Sequence, residues 1–297
     1  MPNPTPGSVH NDTYLTDVSV AYVQSADSFA ADRAFPRVPV SKQSDVIGTF
    51  SRADFLRDEM AKRAAGSEVK RVGYRTGSTS YIADEWALEH PIDDQVRANA
   101  DGPFASLDEN AAAFLTQKML IKREREFVTN FFTTGIWTGS SDGSDLISGT
   151  DYTAWSNPAS TPIENVEKWK SANLARTGVA GNKLVLGQQV WSDLKNHPDI
   201  VDRIKYTSSE TVSKQVVARL MELDEILVSS AVYNTAGEGL SHSGASIAGD
   251  DALLVHTPSS PGLMTPAAGY TFVWTGLIGS NEGQVIERYR EDRAVSD

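Results

Sequence analysis

The sequence predicts an α+β protein organised around one unusually long helix. Strand-like and amphipathic helical runs follow one another along the 297 residues without the regular β–α–β alternation of a doubly wound fold. No Pro or Gly interrupts residues 107–134, and their apolar side chains recur at helical spacing. One helix of this length would span roughly 42 Å and would exceed twice the usual helix of about 11–12 residues. We call this segment the spine helix.

Sequence signals mark both ends of the spine helix. Ser106 followed by Glu109 predicts a capping box, in which each side chain bonds to a backbone N–H at the helix start. Gly135 supplies a residue that adopts a left-handed conformation and ends the helix. Within the helix, Lys122 and Glu126 are expected to form an ion pair, because residues four apart are neighbours on a helix surface.

One side of the spine helix is expected to be buried. Phe114, Ile121 and Val128 fall within one arc at 3.6 residues per turn, and we expect them to form the core contact of the helix. The same arc contains Leu120, Phe127, Phe131 and Phe132. Two interpretations follow. The helix is either a long packed helix of an α+β enzyme or a mechanical spine that crosses a flat subunit.

Residues 1–45 are predicted to form an extended arm. Five prolines disfavour helix here, and the run FPRVPV at residues 35–40 favours β or polyproline geometry. A short helix is expected within residues 19–31. An arm of this composition has no core of its own, so it must lie on its own subunit or on a neighbouring one.

A short strand and a turn of helix are predicted over residues 46–61. A charged β-hairpin is predicted after them, over residues 69–89. VKRVGYR (69–75) and SYIADEWALE (80–89) have strand character, and TGST between them has the composition of a hairpin turn. Residues 62–75 carry five Lys or Arg and one Glu, whereas residues 84–94 carry five acidic side chains and no Lys or Arg. A solvated hairpin and a ribbon that docks electrostatically on a neighbour both fit, and we favour the ribbon. Its expected contact residues are Lys70, Arg71, Tyr74, Arg75, Asp84, Glu85 and Trp86.

The remaining chain alternates irregularly between helices and strands. Helices are predicted over residues 164–176, 188–198, 199–206 and 213–224, strands over 183–187, 225–233, 251–258, 269–276 and 284–291, and a flexible loop over 234–250.

Composition excludes several classes of protein. The net charge is −12, so the chain lacks the basic balance with which tight nucleic-acid binders neutralise phosphates. There is no cysteine, which excludes disulfides and thiolate metal sites. No window approaches 18 uninterrupted apolar residues, and the start of the chain lacks the pattern of a secretory signal, so no membrane association is expected.

Candidate catalytic and metal sites are weak. Gly139–Gly143 matches the G-x-S-x-G pattern around Ser141, but the match follows a helix end rather than a strand, so a serine hydrolase is a minor alternative. Asp142, Asp145 and Asp151 could meet around calcium, although a solvated turn fits them better. The five histidines lack H-x-x-x-H spacing. No metal, no cofactor and no enzymatic activity are predicted.

Taken together, the arm, the ribbon, the spine helix and the later elements resemble a known family. The arrangement is similar to that of tailed-bacteriophage major capsid proteins of the Hong Kong 97 type. The segments that carry the resemblance are 35–40, 62–94, 108–132, 182–206 with its NHPDIVDRIKY run, 225–236 and 252–258.

The resemblance implies both a domain order and a role. It implies an N-terminal arm (1–45), an extended loop with flanks (46–99), a peripheral domain with the spine helix (100–180), an axial domain (181–264) and a return to the peripheral domain (265–297). It also implies hexamers and pentamers that close into an icosahedral shell, which encloses double-stranded DNA without sequence-specific binding. Expected partners are copies of itself, a separate scaffolding protein, a portal and a decoration protein. The expected location is the virion, after synthesis in the host cytoplasm. An encapsulin-type compartment of the same fold is the alternative.

Overall fold

A computed structural model describes residues 23–100, 106–137, 143–205, 212–262, 264–278 and 285–287. Its helices are α1 (Ala31–Ala34), α2 (Arg52–Phe55), α3 (Asp94–Ala98), α4 (Leu107–Phe131), α5 (Pro162–Thr177), α6 (Gln188–Lys195), α7 (Pro198–Lys205), α8 (Lys214–Leu220) and α9 (Thr275–Ile278). Its strands are β1 (Arg37–Val40), β2 (Ser44–Phe50), β3 (Thr76–Ile82), β4 (Lys183–Gly187), β5 (Glu225–Ser229), β6 (Val232–Asn234), β7 (Gly244–Ser246), β8 (Ala252–Val255) and β9 (Thr271–Trp274). Helices and short sheets are mixed, as an α+β class requires. No described helix has the length and apolar character needed to cross a membrane.

A three-stranded sheet lies at the centre of the core. Its order is β5–β4–β8, with β4 parallel to β5 and antiparallel to β8. Because successive side chains of a strand point to opposite faces, Leu184 and Leu186 pack on one face and Val185 on the other. Helices α5 to α8 cover the first face, while α1 and the C-terminal half of α4 cover the second.

The spine helix is shorter than predicted and is capped differently. It spans 25 residues and ends at Phe131 rather than near residue 134. The Trp137 indole N–H donates to the Phe131 carbonyl over 2.9 Å. Gly135, which follows the end of the helix, has a left-handed φ of 102°. The predicted capping box does not form, because Ser106 has a ψ of 54° and its side chain accepts no capping hydrogen bond. The Lys122–Glu126 ion pair is confirmed.

The buried face of α4 is centred differently from the prediction. Gln117, Glu124 and Phe127 are the buried residues of the helix, and Ile121 and Val128 are half-buried against a small cluster around Phe29 and Ile247. The prediction that Phe114 is buried is wrong, since 46% of the residue is exposed. Phe114 lies on the side of α4 that faces away from the sheet. Its ring contacts the His90 ring and the Lys118 ammonium group.

A fully buried carboxylate joins three parts of the fold. Glu124 of α4 is 0% exposed and accepts hydrogen bonds from the backbone N–H groups of Ala30 (3.1 Å) and Ala31 (2.8 Å). It also accepts a bond from the Ser229 hydroxyl at the end of β5, over 2.6 Å. These bonds satisfy donors at the start of α1 and fix the spine helix to the central sheet. No sequence pattern pointed to Glu124.

The described part of the arm lies on its own subunit. Gln24 bonds to Gln117 of α4 and exchanges two bonds with the backbone of Val232. Asp32 pairs with Arg123 of α4 and with Arg37. The FPRVPV run is extended as predicted, with β1 parallel to β9. Of the predicted helix over 19–31, the described residues form a 3-10 turn over Ala26–Ser28 and the start of α1.

The predicted hairpin pairing is wrong. The strand β3 pairs antiparallel with β2 over seven residues, from Ser44 opposite Ile82 to Phe50 opposite Thr76. The TGST run therefore lies inside β3, and residues 69–75 belong to the loop that joins the two strands. Gly77 is needed for close cross-strand contact rather than for a turn, because a Cβ there would lie 2.8 Å from the Thr49 hydroxyl oxygen. The strand and helical turn expected over 46–61 correspond to β2 and α2.

Three further predictions need correction or fall outside the described residues. Residues 234–250 are not simply a loop, because β7 pairs with β6 as a short hairpin. The helix predicted over 213–224 ends at Leu220, since the backbone turns left-handed at Glu222, with a φ of 52°. The strand predicted over 284–291 lies largely outside the described residues.

The position of the buried face gives a stability prediction. Phe127→Ala should lower the free energy of unfolding by about 3–5 kcal/mol, because it empties a site among Phe35, Phe131 and Phe132. The same substitution at Phe114, on the same helix, is the matched control and should cost less than about 1 kcal/mol. Urea unfolding of the two variants measures the difference, and equal costs would contradict this assignment of the core face.

The Glu124 junction gives a second stability prediction. Glu124→Ala leaves three buried donors without an acceptor, and each such donor costs about 1–3 kcal/mol. We expect a total loss of at least about 3 kcal/mol in urea unfolding, because three donors lose their acceptor together. Glu124→Gln keeps the shape and one acceptor oxygen, so it should lose less. If the Ala variant unfolds at the same urea concentration as the parent chain, the junction is not a source of stability.

Candidate subunit interface

Large apolar side chains are exposed in unusual density between residues 46 and 88. Ten of the exposed large apolar side chains in the described part of the chain fall there, and Met60 is 97% exposed. They are Val46, Phe55, Leu56, Met60, Val69, Val72, Tyr74, Ile82, Trp86 and Leu88. A concentration of exposed apolar surface is typical of a protein–protein contact site. In the structure, the ribbon is the β2–β3 hairpin of residues 44–82, which replaces the predicted hairpin of residues 69–89. Residues 51–75 are its loop.

An ion-pair staple closes the base of the loop. The Asp54 carboxylate accepts bonds from the backbone N–H of Arg75 (3.0 Å) and from the Nε and Nη2 atoms of its guanidinium (2.9 and 3.1 Å). Arg57 adds a bond to Asp54 over 3.2 Å, and the Asp54 side chain is only 6% exposed.

These bonds set the charge state of the staple. They hold the pKa of Asp54 well below its ordinary value, chiefly through the hydrogen bond from the Arg75 side chain. Because the pKa of Asp54 is depressed, the staple is fully formed above the ordinary aspartate pKa of about 3.9. The staple is lost only as the pH falls toward the depressed value. It therefore persists throughout the neutral and mildly acidic range.

Three aromatic rings support the same base. Phe50, Phe55 and Tyr74 contact one another with ring centroids 5.4 to 5.9 Å apart. Contacts of this kind prefer tilted or edge-to-face geometry, and all three have it. The staple and the aromatic trio together fix where the loop leaves the two strands, although the loop has no core of its own.

The segment that follows the ribbon runs beside the spine helix. The Lys122 ammonium group lies 3.9 Å from the centre of the Trp86 ring. Further along, Arg97 binds Asp108 at the start of α4 through two bonds of 2.8 and 3.1 Å. Cation–π contacts and exposed ion pairs are each worth about 1 kcal/mol or less at such sites. The segment is therefore attached through polar contacts rather than through a buried core.

Some of the predicted contact residues make contacts within their own subunit, whereas the others have no ion-pair partner in its described residues. Arg75 and Tyr74 belong to the base of the loop, and Trp86 contacts the spine helix. Lys70 and Arg71 are exposed and have no ion-pair partner within the described ranges. The same holds for Asp84 and Glu85, so one subunit does not bring the two charged runs together. Their contact with a neighbouring subunit stays a prediction.

Sequence reasoning missed the residues that build the base of the loop. Asp54, Phe50 and Phe55 sit around α2, far from the run at residues 69–75 that was expected to pair. The signal that could have found them is one aromatic residue, Phe50, just before a short helical turn, with one acid and one aromatic residue, Asp54 and Phe55, inside that turn. That signal becomes visible only once β2 is recognised as the partner of β3.

A buried Ser–His contact exists, but its geometry is structural. The Nε2 atom of His197 lies 2.9 Å from the Ser160 hydroxyl oxygen and 3.1 Å from the Asn157 carbonyl oxygen. Its Nδ1 atom accepts the Asp199 backbone N–H over 3.2 Å, so Nε2 carries the proton. A general base for serine needs the opposite arrangement, with a free Nε2 and a carboxylate at Nδ1. Ser141 itself lies outside the described residues.

No metal centre emerges from the part of the chain that the structure describes. No group of three or more suitable side chains is present there. Asp145 accepts the Gly135 backbone N–H over 3.1 Å, and Asp151 accepts that of Ile147 over 2.7 Å. Both side chains therefore serve turns, and Asp142 lies outside the described residues.

Comparison with protein families matches residues 144–268 to the family described as phage major capsid protein E. The matched stretch contains the central sheet and its covering helices α5 to α8. The ribbon and the spine helix lie outside it.

Individual relatives point to the same class. The major capsid protein of Burkholderia phage BcepMu is 26% identical over 224 residues, which cover 75% of this chain and 69% of that protein. A phage-related protein from Bordetella bronchiseptica RB50 is 25% identical and superposes with a TM-score of 0.63, covering 86% of this chain and 81% of that one. The capsid structure of cyanophage P-SCSP1u shares the fold at a TM-score of 0.50 and 11% identity, covering 83% and 77% of the two chains.

The fold and these comparisons make this chain similar to bacteriophage capsid proteins. Within that class, the predicted resemblance to the major capsid proteins of tailed phages is confirmed.

The staple at the base of the loop gives a testable prediction. Asp54→Asn removes the charge that holds Arg75 and Arg57, so the loop should open more often. Tryptic cleavage after Lys62, Lys70 and Arg71 should accelerate at least about twofold, because two guanidinium groups lose their charged acceptor. Asp58→Asn, an exposed change in the same loop, is the matched control and should leave the rate unaltered. Equal cleavage rates in the two variants would contradict the role of the staple.

Proposed function

We propose that this chain assembles with copies of itself, as hexamers and pentamers, into an icosahedral shell that encloses double-stranded DNA. The observation that carries the proposal is the ribbon with its exposed apolar side chains. A two-stranded ribbon is marginally stable by itself in water. It gains a buried environment when it lies across a neighbouring subunit.

The proposed organisation is that of the Hong Kong 97-type fold. Residues 1–45 form the arm, 46–99 the extended loop and 100–180 the peripheral domain with the spine helix. Residues 181–264 form the axial domain, and 265–297 return to the peripheral domain. Support comes from the parallel pairing of β1 with β9, which brings arm and return segment together. The core of 181–264 around the central sheet adds further support.

We further propose that Lys70 and Arg71 of one subunit approach acidic groups of another, and that Asp84 and Glu85 meet basic groups. Tyr74 and Trp86 would contribute apolar contact area at the same boundary. Arg75 acts differently from Lys70 and Arg71, because Asp54 already binds it and it therefore positions the loop. Exposed ion pairs are weak one by one, but many repeats around a shell add up.

The acidic balance fits a container rather than a binder of DNA. A net charge of −12 leaves few cations to neutralise phosphates, so the shell would enclose DNA without gripping it in a sequence-specific way. No catalytic step is assigned. A scaffolding protein, a portal and a decoration protein are the proposed partners, and synthesis in the host cytoplasm precedes assembly. The encapsulin-type alternative is less favoured, because the relatives above are phage proteins.

Charge reversal of the loop tests the proposal. Lys70→Glu with Arg71→Glu should leave the subunit folded but block closed shells, because both side chains are exposed and make no ion pair within the described part of their own subunit. Circular dichroism measures the fold, and sedimentation with electron microscopy measures shells. Raising the salt concentration should lessen the difference between variant and parent, since the screening length falls to about 3 Å at 1 M.

The matched control changes the net charge equally at another surface. Lys168→Glu with Lys195→Glu alters two exposed lysines of α5 and α6 and should assemble normally. Normal shells from the loop variant at low salt would show that the loop is not an electrostatic contact. Failure of the unmodified chain to form any hexamer, pentamer or closed particle would overturn the proposed shell function itself.

A further inference from the structure

One long edge of the ribbon is open. At the two ends of the β2–β3 ladder, the Ser51 N–H donates to the Arg75 carbonyl over 3.0 Å and the Ala83 N–H donates to the Gln43 carbonyl over 2.8 Å. Bonded and non-bonded residue pairs alternate along an antiparallel pair of strands. Every second residue of β3 between these ends therefore turns its N–H and C=O groups away from β2. These residues, all exposed and without an outward backbone bond in the described part of the chain, are Thr76, Ser78, Ser80 and Ile82.

The opposite edge of the ribbon is protected, whereas the β3 edge is not. By the same alternation, the Val46 N–H of β2 points outward, and the Asp45 carboxylate accepts it over 2.8 Å. The Lys42 ammonium group binds the same carboxylate over 2.9 Å, so an ion pair lies on this edge. Charged side chains on an edge strand discourage its pairing with another chain. The run TGSTSYI of β3 contains no charge and no proline, so its edge lacks this protection.

No other described strand combines length, exposure and an unprotected edge. Residues 226–229 of β5 are at most 5% exposed, and β4 pairs on both sides. β1 contains Pro39, which has no N–H to donate. β6, β7, β8 and β9 have three or four residues each, against seven in β3. The strand of this chain that best matches the β3 edge is therefore β3 of a second copy.

The charges that flank β3 match when two copies of the strand pair antiparallel. Arg71 lies seven residues before Ser78, and Glu85 lies seven residues after it. An antiparallel pair centred on Ser78 therefore brings the loop of each ribbon beside the segment that follows the other ribbon. The basic run 70–71 of one copy then approaches the acidic run 84–85 of the other. Opposite charges across neighbouring strands are favourable, and neither run has an ion-pair partner in the described part of its own subunit.

The pairing also removes the weakness of an isolated ribbon. Two strands alone are marginally stable in water, whereas four strands in the order β2–β3–β3–β2 form a sheet of ordinary size. In the register centred on Ser78, Thr76 lies opposite Ser80, and the two Ser78 residues face each other. No like charges meet along the new contact, because β3 has none.

We propose that the ribbons of two copies of this chain pair along their β3 edges, antiparallel about a two-fold axis at Ser78. Such a contact is isologous, since both subunits use the same surface. The inference rests on the proposed shell function, because an icosahedral shell relates neighbouring subunits by two-fold axes as well as within its hexamers and pentamers. It assigns a partner to the ribbon, and it accounts for an edge of β3 that carries no protecting charge.

Disulfide trapping tests the pairing, because the chain contains no cysteine. Opposed residues that exchange backbone bonds in an antiparallel pair have Cα atoms about 5.5 Å apart. This separation lies within the range of about 4.4–6.8 Å that a disulfide needs. Assembled particles of the Ser78→Cys variant should therefore yield a covalent dimer on a non-reducing gel after mild oxidation, and reduction should return the dimer to monomer.

Gly48→Cys is the matched control on the other edge of the same ribbon. Gly48 is exposed and lies opposite Ser78 in the β2–β3 register, and an added Cβ there would meet no atom within 4 Å. In the proposed sheet the two Gly48 positions are three strand spacings apart, about 14 Å. Particles of this variant should therefore give no covalent dimer.

The two variants separate the possible outcomes. Particles of Ser78→Cys that yield no dimer, whether hexamers, pentamers or closed shells, would overturn this inference and leave the proposed function intact. Equal amounts of dimer from Ser78→Cys and Gly48→Cys would overturn it as well, since the contact would then not be specific to the β3 edge. Absence of any hexamer, pentamer or closed particle from the unmodified chain would instead refute the shell function on which the inference depends.

Discussion

The fold depends on one buried carboxylate. Glu124 receives two backbone bonds from the start of α1 and one from Ser229, and none of the three donors reaches water. A charged group without partners in such a place would be strongly unfavourable. The three partners must therefore stay in place together, so the arm, the spine helix and the central sheet are fixed relative to one another at a single point.

This junction lies close to the point where the ribbon begins. β1 follows α1 directly and pairs with β9, and β2 begins four residues after β1 ends. The Tyr81 ring stacks on Phe272 of β9 with centroids 4.6 Å apart. The direction of the ribbon is thus set at its root by elements that Glu124 and β9 hold, and the rest of the ribbon needs no core of its own.

The sequence predicts most elements of the core but not their partners. Hydrophobic periodicity identified α5 and β4 closely and placed β5 and β9 correctly but made both strands too long. It failed at Gly77, which resembles a turn residue until the facing Thr49 is known. The periodicity failed at Phe114 because the buried face of a helix depends on what packs against it. It failed at Glu124 because this carboxylate is buried where three donors converge, which periodicity does not show.

The candidate interface was harder to predict than the core, and the reason is physical. Charge segregation along residues 62–94 was visible in the sequence, whereas the Asp54–Arg75 staple required the β2–β3 register, which local patterns do not encode. Local propensity and structure agree throughout the central sheet. They disagree at residues 69–72, where β-branched residues lie in a loop. Natural sequences are largely free of such conflicts, and this conflict, at a segment that also exposes apolar and charged side chains, is one reason for proposing a subunit contact there.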